Sequence, residues 1–165
     1  MIHLIEVLPA GSEPRIDDAV ALPFDLRQKS RLRLTLRSGR EAALFVARGT
    51  ILRGGDLLRA EDGMIVEVQA APQAVMDVYA DSAQALTCAA YHLGNRHVPL
   101  QVGPDWLRLE QDHVLKDMLH GLGVQVRDWQ APFEPEAGAY GSGHRHHGDE
   151  EAPSLRPILR LKKPA

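Results

Sequence analysis

The chain has 165 residues, 44% hydrophobic and 25% charged, with a net charge of -3 when histidines are neutral; this is the balance of a soluble globular protein, not of a disordered chain or a membrane protein, and it fits one ordinary domain or two small ones. No apolar run approaches the ~18 to 20 residues of a membrane helix, and basic and acidic residues are nearly balanced in both halves, so no overall basic bias points to nucleic acid. The single cysteine, Cys88, excludes an internal disulfide framework and a Cys-only zinc site within one chain.

In chain order, Ile2 to Leu8 reads as a strand closed by the turn-rich Pro9 to Ser12, and its partner cannot be assigned from sequence. Arg31 to Arg37 alternates strictly, placing Leu32, Leu34 and Leu36 on one face and arginine or threonine on the other, as a half-buried strand requires. Ser38-Gly39 turns the chain into Ala42 to Val46, which predicts a hairpin. Short apolar runs at Ile51-Leu52, Leu57-Leu58 and Met64 to Val68 follow, separated by glycine turns. Residues 1–72 are therefore expected to form a small all-β domain. The N-terminus has no basic segment ahead of its apolar residues, so no signal peptide is expected and a cytoplasmic location is.

The pattern changes near Ala71-Pro72. Val75 to Ala80 reads as a strand, Asp81 or Ser82 as a helix N-cap, and Leu86, Ala89, Ala90 and Leu93 recur at helical spacing up to Gly94. Strands around His97 to Val102 and Trp106 to Leu109 precede a second helix, whose apolar stripe is Val114, Leu115, Met118, Leu119 and Leu122 and which Gly123 closes. Val124 to Trp129 supplies a last strand. The order strand, helix, strand, strand, helix, strand over residues 73–133 is that of a ferredoxin-like βαββαβ domain, so the fold class expected for the whole chain is α+β. From 134 to 165 the composition turns polar and rich in Pro, Glu, Ala and Gly. A flexible His-containing tail is expected there.

Seven of the eight histidines lie after residue 90. Imidazole is both a good ligand for borderline metals such as nickel, copper and zinc and a group that titrates near neutrality, so the asymmetry points to metal chemistry. His97 follows Gly94-Asn95-Arg96 past a helix end, where a side chain can project from the domain; the plain alternative is an exposed loop histidine. His92 lies four residues after Cys88 on one helix face and offers a two-ligand pair, although Cys88 sits among small residues and is expected to be a buried core thiol. His113, Lys116, Asp117 and His120 fall opposite the leucine stripe, as any solvated face would. The tail's His144, His146 and His147, followed by three acids, are selected by nothing in folding, and imidazoles at that spacing chelate divalent metals while flexible. There is no His-Glu-x-x-His, no cysteine pair and no Gly-rich phosphate loop.

The segments Tyr91-His92-Leu93-Gly94-Asn95-Arg96-His97-Val98-Pro99-Leu100-Gln101 and Asp112-His113-Val114-Leu115-Lys116-Asp117-Met118-Leu119, with the His-bearing tail, closely resemble the UreE family of urease accessory proteins, nickel metallochaperones. The resemblance implies a homodimer whose C-terminal ferredoxin-like domains meet about a two-fold axis, and an N-terminal β domain similar to the peptide-binding modules of Hsp40 chaperones. It matches His97 to a central ligand given by both protomers to one interfacial Ni(II), His92 and His113 to further metal-binding positions, and His144, His146 and His147 to variable tail ligands. Zn(II) or Cu(II) suits the same imidazoles. The implied partners are the urease accessory GTPase and the apo-urease complex, with no membrane and no nucleic acid. The implied role is delivery of nickel, without enzymatic activity. Two other readings stay open: a metallohydrolase using His92, His97 and His113, and a metal-independent peptide- or nucleic-acid-binding module. The arginines from Arg31 to Arg37 form either a docking surface or an ordinary solvated strand face.

Overall fold

The structure is a computed structural model, and it describes residues 1–138. The first half is one six-stranded sheet made of β1 (Ile2–Val7), β2 (Asp18–Leu22), β3 (Arg31–Thr35), β4 (Glu41–Phe45), β5 (Leu57–Ala60) and β6 (Ile65–Ala70), in the order β2-β6-β5-β1-β4-β3. The predicted hairpin is present: β3 and β4 pair antiparallel with Leu32 opposite Leu44 and Leu34 opposite Ala42, and Gly39 supplies a turn at φ 85° that only glycine adopts without cost. Leu34 and Leu36 are buried and Leu32 is half-buried, while Arg31, Arg33 and Thr35 face solvent. Alternating leucines thus fix which side of the ribbon meets the core.

The partners of β1 are β4, parallel, and β5, antiparallel, so it occupies the middle of the sheet. Leu4, with no exposed surface, meets Leu44, Leu58 and Val66 there in a single core cluster. Two elements carry too little periodicity to be read ahead of the fold. β2 is a five-residue strand that pairs parallel to β6, and α1 (Phe24–Arg27) is one helical turn. Ile51-Leu52, expected among the strands, is a loop. Leu52 is nonetheless fully buried, and its amide donates to the Arg27 carbonyl at 2.9 Å, so the apolar run marks a plug in the core, not a strand.

The second half is built from β7 (Gln73–Tyr79), α2 (Ala83–Gly94), β8 (Gln101–Val102), β9 (Leu107–Glu110), α3 (His113–Gly121) and β10 (Gln125–Ala131). Its sheet runs β10-β7-β9-β8 with every pairing antiparallel. Met76 and Val78 of β7 and Leu107 and Leu109 of β9 turn to one face and meet Ala89 and Leu93 of α2 and Leu119 of α3, giving a layer of sheet under a layer of helix. Leu93 and Leu119 are wholly buried, and each contributes roughly 1.5–3 kcal/mol of transfer free energy. Both helices start on a side-chain cap: the Ser82 hydroxyl accepts from the Ala85 amide at 3.1 Å, and the Asp112 carboxylate from the Leu115 amide at 2.9 Å. Gly123, at φ 78°, ends the turn after α3.

The strand expected from His97 to Val102 shrinks to Gln101–Val102. Amides of Arg96 and His97 donate to the carbonyls of Leu93 and Gly94, winding a tight turn, and Pro99 has no amide to give to a ladder. Past β10 specific contacts continue through the end of the expected domain at Phe133 and into the first residues of the segment from 134. Phe133 is fully buried against Phe24 with ring centroids 5.5 Å apart, in a small cluster with Val75 and Ala131 that joins the two halves. Glu134 is gripped by Arg27, and the Glu136 amide donates to the Leu100 carbonyl at 2.8 Å. Specific contacts, which composition does not register, order this stretch.

Candidate metal centre

His97 stands on the turn that leaves α2. Its amide donates to the Gly94 carbonyl at 3.0 Å, and the Val98 amide reaches back to the Leu93 carbonyl at 3.4 Å, so the loop doubles under the helix end. This geometry drives His97 to φ 55°; among the described residues it is the one non-glycine with positive φ. A left-handed conformation costs an L-residue roughly 1–2 kcal/mol, a strain typical of sites selected for function over stability. The side chain is exposed. It forms a ridge between two clefts of about 420 Å³ each: one is shared with Glu110, Gln111 and Asp112 at the start of α3, the other with Arg53, Leu100 and the chain's path from Pro135 to Gly138.

His92 lies in the last turn of α2, half-buried, with its ring edge-on to Tyr91 at 5.5 Å and its carbonyl accepting from Arg96 at 3.0 Å. Cys88, expected in the core, is exposed. The core stripe of α2 is Ala89 and Leu93, and at about 100° per residue Cys88 falls just outside it. His113 opens α3, exposed, at a third cleft with Met76, Gln111, Lys116 and Asp128; His120 and Asp117 are exposed on the same helix, as their positions opposite the leucines predict. Val114, counted by its spacing in the apolar stripe, is instead 63% exposed, and Tyr91 is 66% exposed. Large apolar side chains thus flank the histidines of α2 and α3.

Among the described residues no three His, Cys, Asp or Glu side chains come close enough to hold a metal ion, so His92, His97 and His113 are not gathered into one site within a chain. His144, His146 and His147 lie outside the described residues. No helix among the described residues is long and apolar enough to cross a membrane.

Two polar assemblies around this region had no sequence signature. Asp77 of β7, buried to 1% exposure, accepts a bidentate pair of hydrogen bonds from Arg108 of β9 at 2.7 and 2.9 Å, and Arg108 lies between the rings of Trp106 and Trp129. The hydrogen bonds Arg108 donates to Asp77 raise its pKa above the ordinary value, against the opposing effect of burial. Arg27 of α1 is fully buried. Its guanidinium donates to the carbonyls of Leu22, Leu52 and Phe133 and to Glu134 Oε1, the last at 2.6 Å. Burial lowers its pKa and the charge of Glu134 counters that shift. Arg27 and Glu134 are 107 residues apart in sequence, so no local pattern announces the pair.

Sequence profiles described as the "UreE urease accessory protein, N-terminal domain" and the "UreE urease accessory protein, C-terminal domain" match residues 3–71 and 73–154. Proteins named "Urease accessory protein UreE" are similar along most of the chain. One from Cupriavidus necator is 63% identical over 130 residues, which is 79% of this chain and 68% of that protein; one from Ralstonia nicotianae is also 63% identical, over 79% of this chain and 62% of its own length. A relative from Dechloromonas aromatica is 54% identical over 90% of this chain and 87% of its own. Several of these relatives are thus matched over only about two thirds of their length or less. With both halves matched in order and identities of 54 to 63%, the chain belongs to the family of UreE urease accessory proteins, accessory factors and not enzymes.

Proposed function

We propose that this chain is a nickel metallochaperone that works in urease maturation, handing Ni(II) to apo-urease through the accessory GTPase complex in the cytoplasm. The observation that carries the reading is the placement of His97: an exposed imidazole held at φ 55° on a turn tightly bonded to the end of α2. The turn's backbone bonds require a left-handed residue there, which glycine would supply without strain; an exposed histidine in that place fits a ligand shared between two chains.

The homodimer follows the same logic. Tyr91 and Val114 leave apolar surface uncovered beside the histidines, as expected of a self-complementary patch about a two-fold axis, where the His97 of each protomer approaches the other's. Two imidazoles fill only part of a nickel coordination shell, and the remaining positions suit the histidines of the tail, His144, His146 and His147, or His92 and His113 on the adjoining helices. Ligands that come and go let the ion be released to a partner. Zn(II) and Cu(II) are expected to compete at the same imidazoles. The sheet order β10-β7-β9-β8, antiparallel throughout under two helices, supports the ferredoxin-like reading of residues 73–133, with the six-stranded β domain over 1–72 and the tail beyond 134. A metallohydrolase is disfavoured because it needs three protein ligands prearranged in one cavity, which the described residues do not assemble.

Nickel titration with the oligomeric state followed in the same samples tests the proposal. About one tightly held ion per dimer is expected, and it should be lost in His97→Ala. A full complement of one ion per protomer that survives His97→Ala would overturn it.

A further inference from the structure

The second sheet ends on β10, which pairs with β7 along its whole length from Gln125 to Ala131. Every second residue of such a strand turns its N–H and C=O away from its neighbour, toward the open edge. Among the described residues no other strand or loop backbone bonds to that row. Nor is the strand covered: Gln125, Arg127, Asp128, Trp129 and Gln130 are all exposed.

The charges along this edge are unequal. In the register, Asp77 of β7 stands opposite Arg108 of β9 on one side and opposite Arg127 of β10 on the other. Both its oxygens go to Arg108, so among the described residues Arg127 has no carboxylate at ion-pair distance. Arg127 is held instead over the Trp129 ring at 5.1 Å, and Trp129 in turn lies against Arg108 at 5.0 Å. The result is an exposed guanidinium, aimed by an indole and lacking a counter-charge. On the opposite face of the strand Asp128 is already matched by Lys116 of α3.

We propose that the open edge of β10 docks an extended segment of a partner protein, which adds to the second sheet as an antiparallel strand and sets a carboxylate side chain opposite Arg127. Main-chain hydrogen bonds supply the affinity, and the outer-face side chains choose the partner: an aspartate or glutamate for Arg127, and a β-branched or aromatic residue two positions away for Trp129. A second copy of this chain fits poorly, since full antiparallel overlap of two β10 strands puts Asp128 opposite Asp128. No residue of β10 lines either cleft beside His97, so this surface goes beyond the metal reading and does not depend on it.

The test is an NMR titration of the isotope-labelled full chain, without metal. The probe is a short capped peptide of alternating threonine and valine with one central glutamate in place of a threonine. At millimolar peptide the amides from Gln125 to Ala131 should shift and exchange more slowly with solvent, and a lysine in place of the glutamate should weaken binding about fivefold. In Arg127→Gln, which alters an exposed side chain, the two peptides should bind alike; the same peptide methylated on every amide nitrogen should not bind at all. An unmoved β10, equal affinity of the native chain for both peptides, a glutamate preference that persists in Arg127→Gln, or binding that survives methylation would each overturn the proposal. So would β10 shifts that track protein concentration without peptide, which would assign the edge to a second copy. His97→Ala should bind the peptide as the native chain does, and failure of the nickel reading shows separately, as nickel affinity that this substitution leaves intact.

Discussion

Replacing Arg27 by methionine keeps the aliphatic stem of a fully buried side chain and removes its charge and all its donors. Four acceptors lose a donor: the carbonyls of Leu52 and Phe133, the Leu22 carbonyl, which keeps the Ala71 amide, and Glu134 Oε1, which keeps the Gly54 amide. Removing one member of a buried ion pair costs about 3–5 kcal/mol, most of it from polar groups left without partners. Here the lower end applies, because the Glu134 side chain is 31% exposed and keeps the Gly54 amide and Arg53. A loss of about 3 kcal/mol lowers the melting temperature of a chain this size by roughly 6–12 °C. Burial lowers the Arg27 pKa and Glu134 opposes that shift; an arginine guanidinium does not deprotonate in proteins, so the effect should not vary with pH between about 6 and 9. Calorimetry of the metal-free protein measures it. A shift under 2 °C would show that Arg27 does not carry the seam, and the account of how the two halves are joined would fail.

Gly103→Ala should destabilise by roughly 1–3 kcal/mol, because the new methyl would stand 2.2 Å from the Trp106 ring and force the indole off Arg108; tryptophan fluorescence in a denaturant titration reads both, and an unchanged midpoint contradicts the packing. His97→Gly should lose nickel yet gain about 0.5–1 kcal/mol of stability, since the strain of φ 55° outweighs the backbone entropy glycine adds; a less stable variant would mean that the turn is not strained. The Asp18 pKa lies below its ordinary value of 3.8, chiefly through the hydrogen bond from the Ser38 hydroxyl. A depressed carboxylate stabilises the fold above its unfolded pKa and the effect is lost as pH falls through the lower folded value, so Ser38→Ala should raise the Asp18 pKa in an NMR titration and flatten the acid limb of stability below about pH 4. No change in that pKa would remove Ser38 as its cause.

What could be read from the sequence was whatever is written in local periodicity. Leu32, Leu34 and Leu36 announce β3, Ser82 and Leu86 to Leu93 announce α2, and Leu115, Met118 and Leu119 with Gly123 announce α3, each within one stretch of chain. The parallel pairing of β1 with β4 and of β2 with β6 joins segments some forty or more residues apart, which alternation of side chains does not encode. Cys88 and Val114 were misplaced by the same limit. A helical wheel gives the angle between residues but not how wide a stripe the sheet beneath will cover, and here that stripe is narrow. His97 could be singled out in the sequence as a histidine past a helix end, and the fold places it there, exposed. Its strained turn was not legible, since nothing in Gly94-Asn95-Arg96-His97 says that the histidine, and not the asparagine, takes the left-handed position. The clamp from Arg27 to Glu134 was invisible for the plainest reason: an arginine and a glutamate look like surface residues until the fold buries one on the other.

The central claim is that nickel is held between two chains by the same histidine of each. Counting bound nickel against molecular mass in one sedimentation experiment tests it most directly. The account requires one tightly bound ion to travel with the dimer and to vanish from it in His97→Ala; an ion held equally well by the isolated subunit would contradict it.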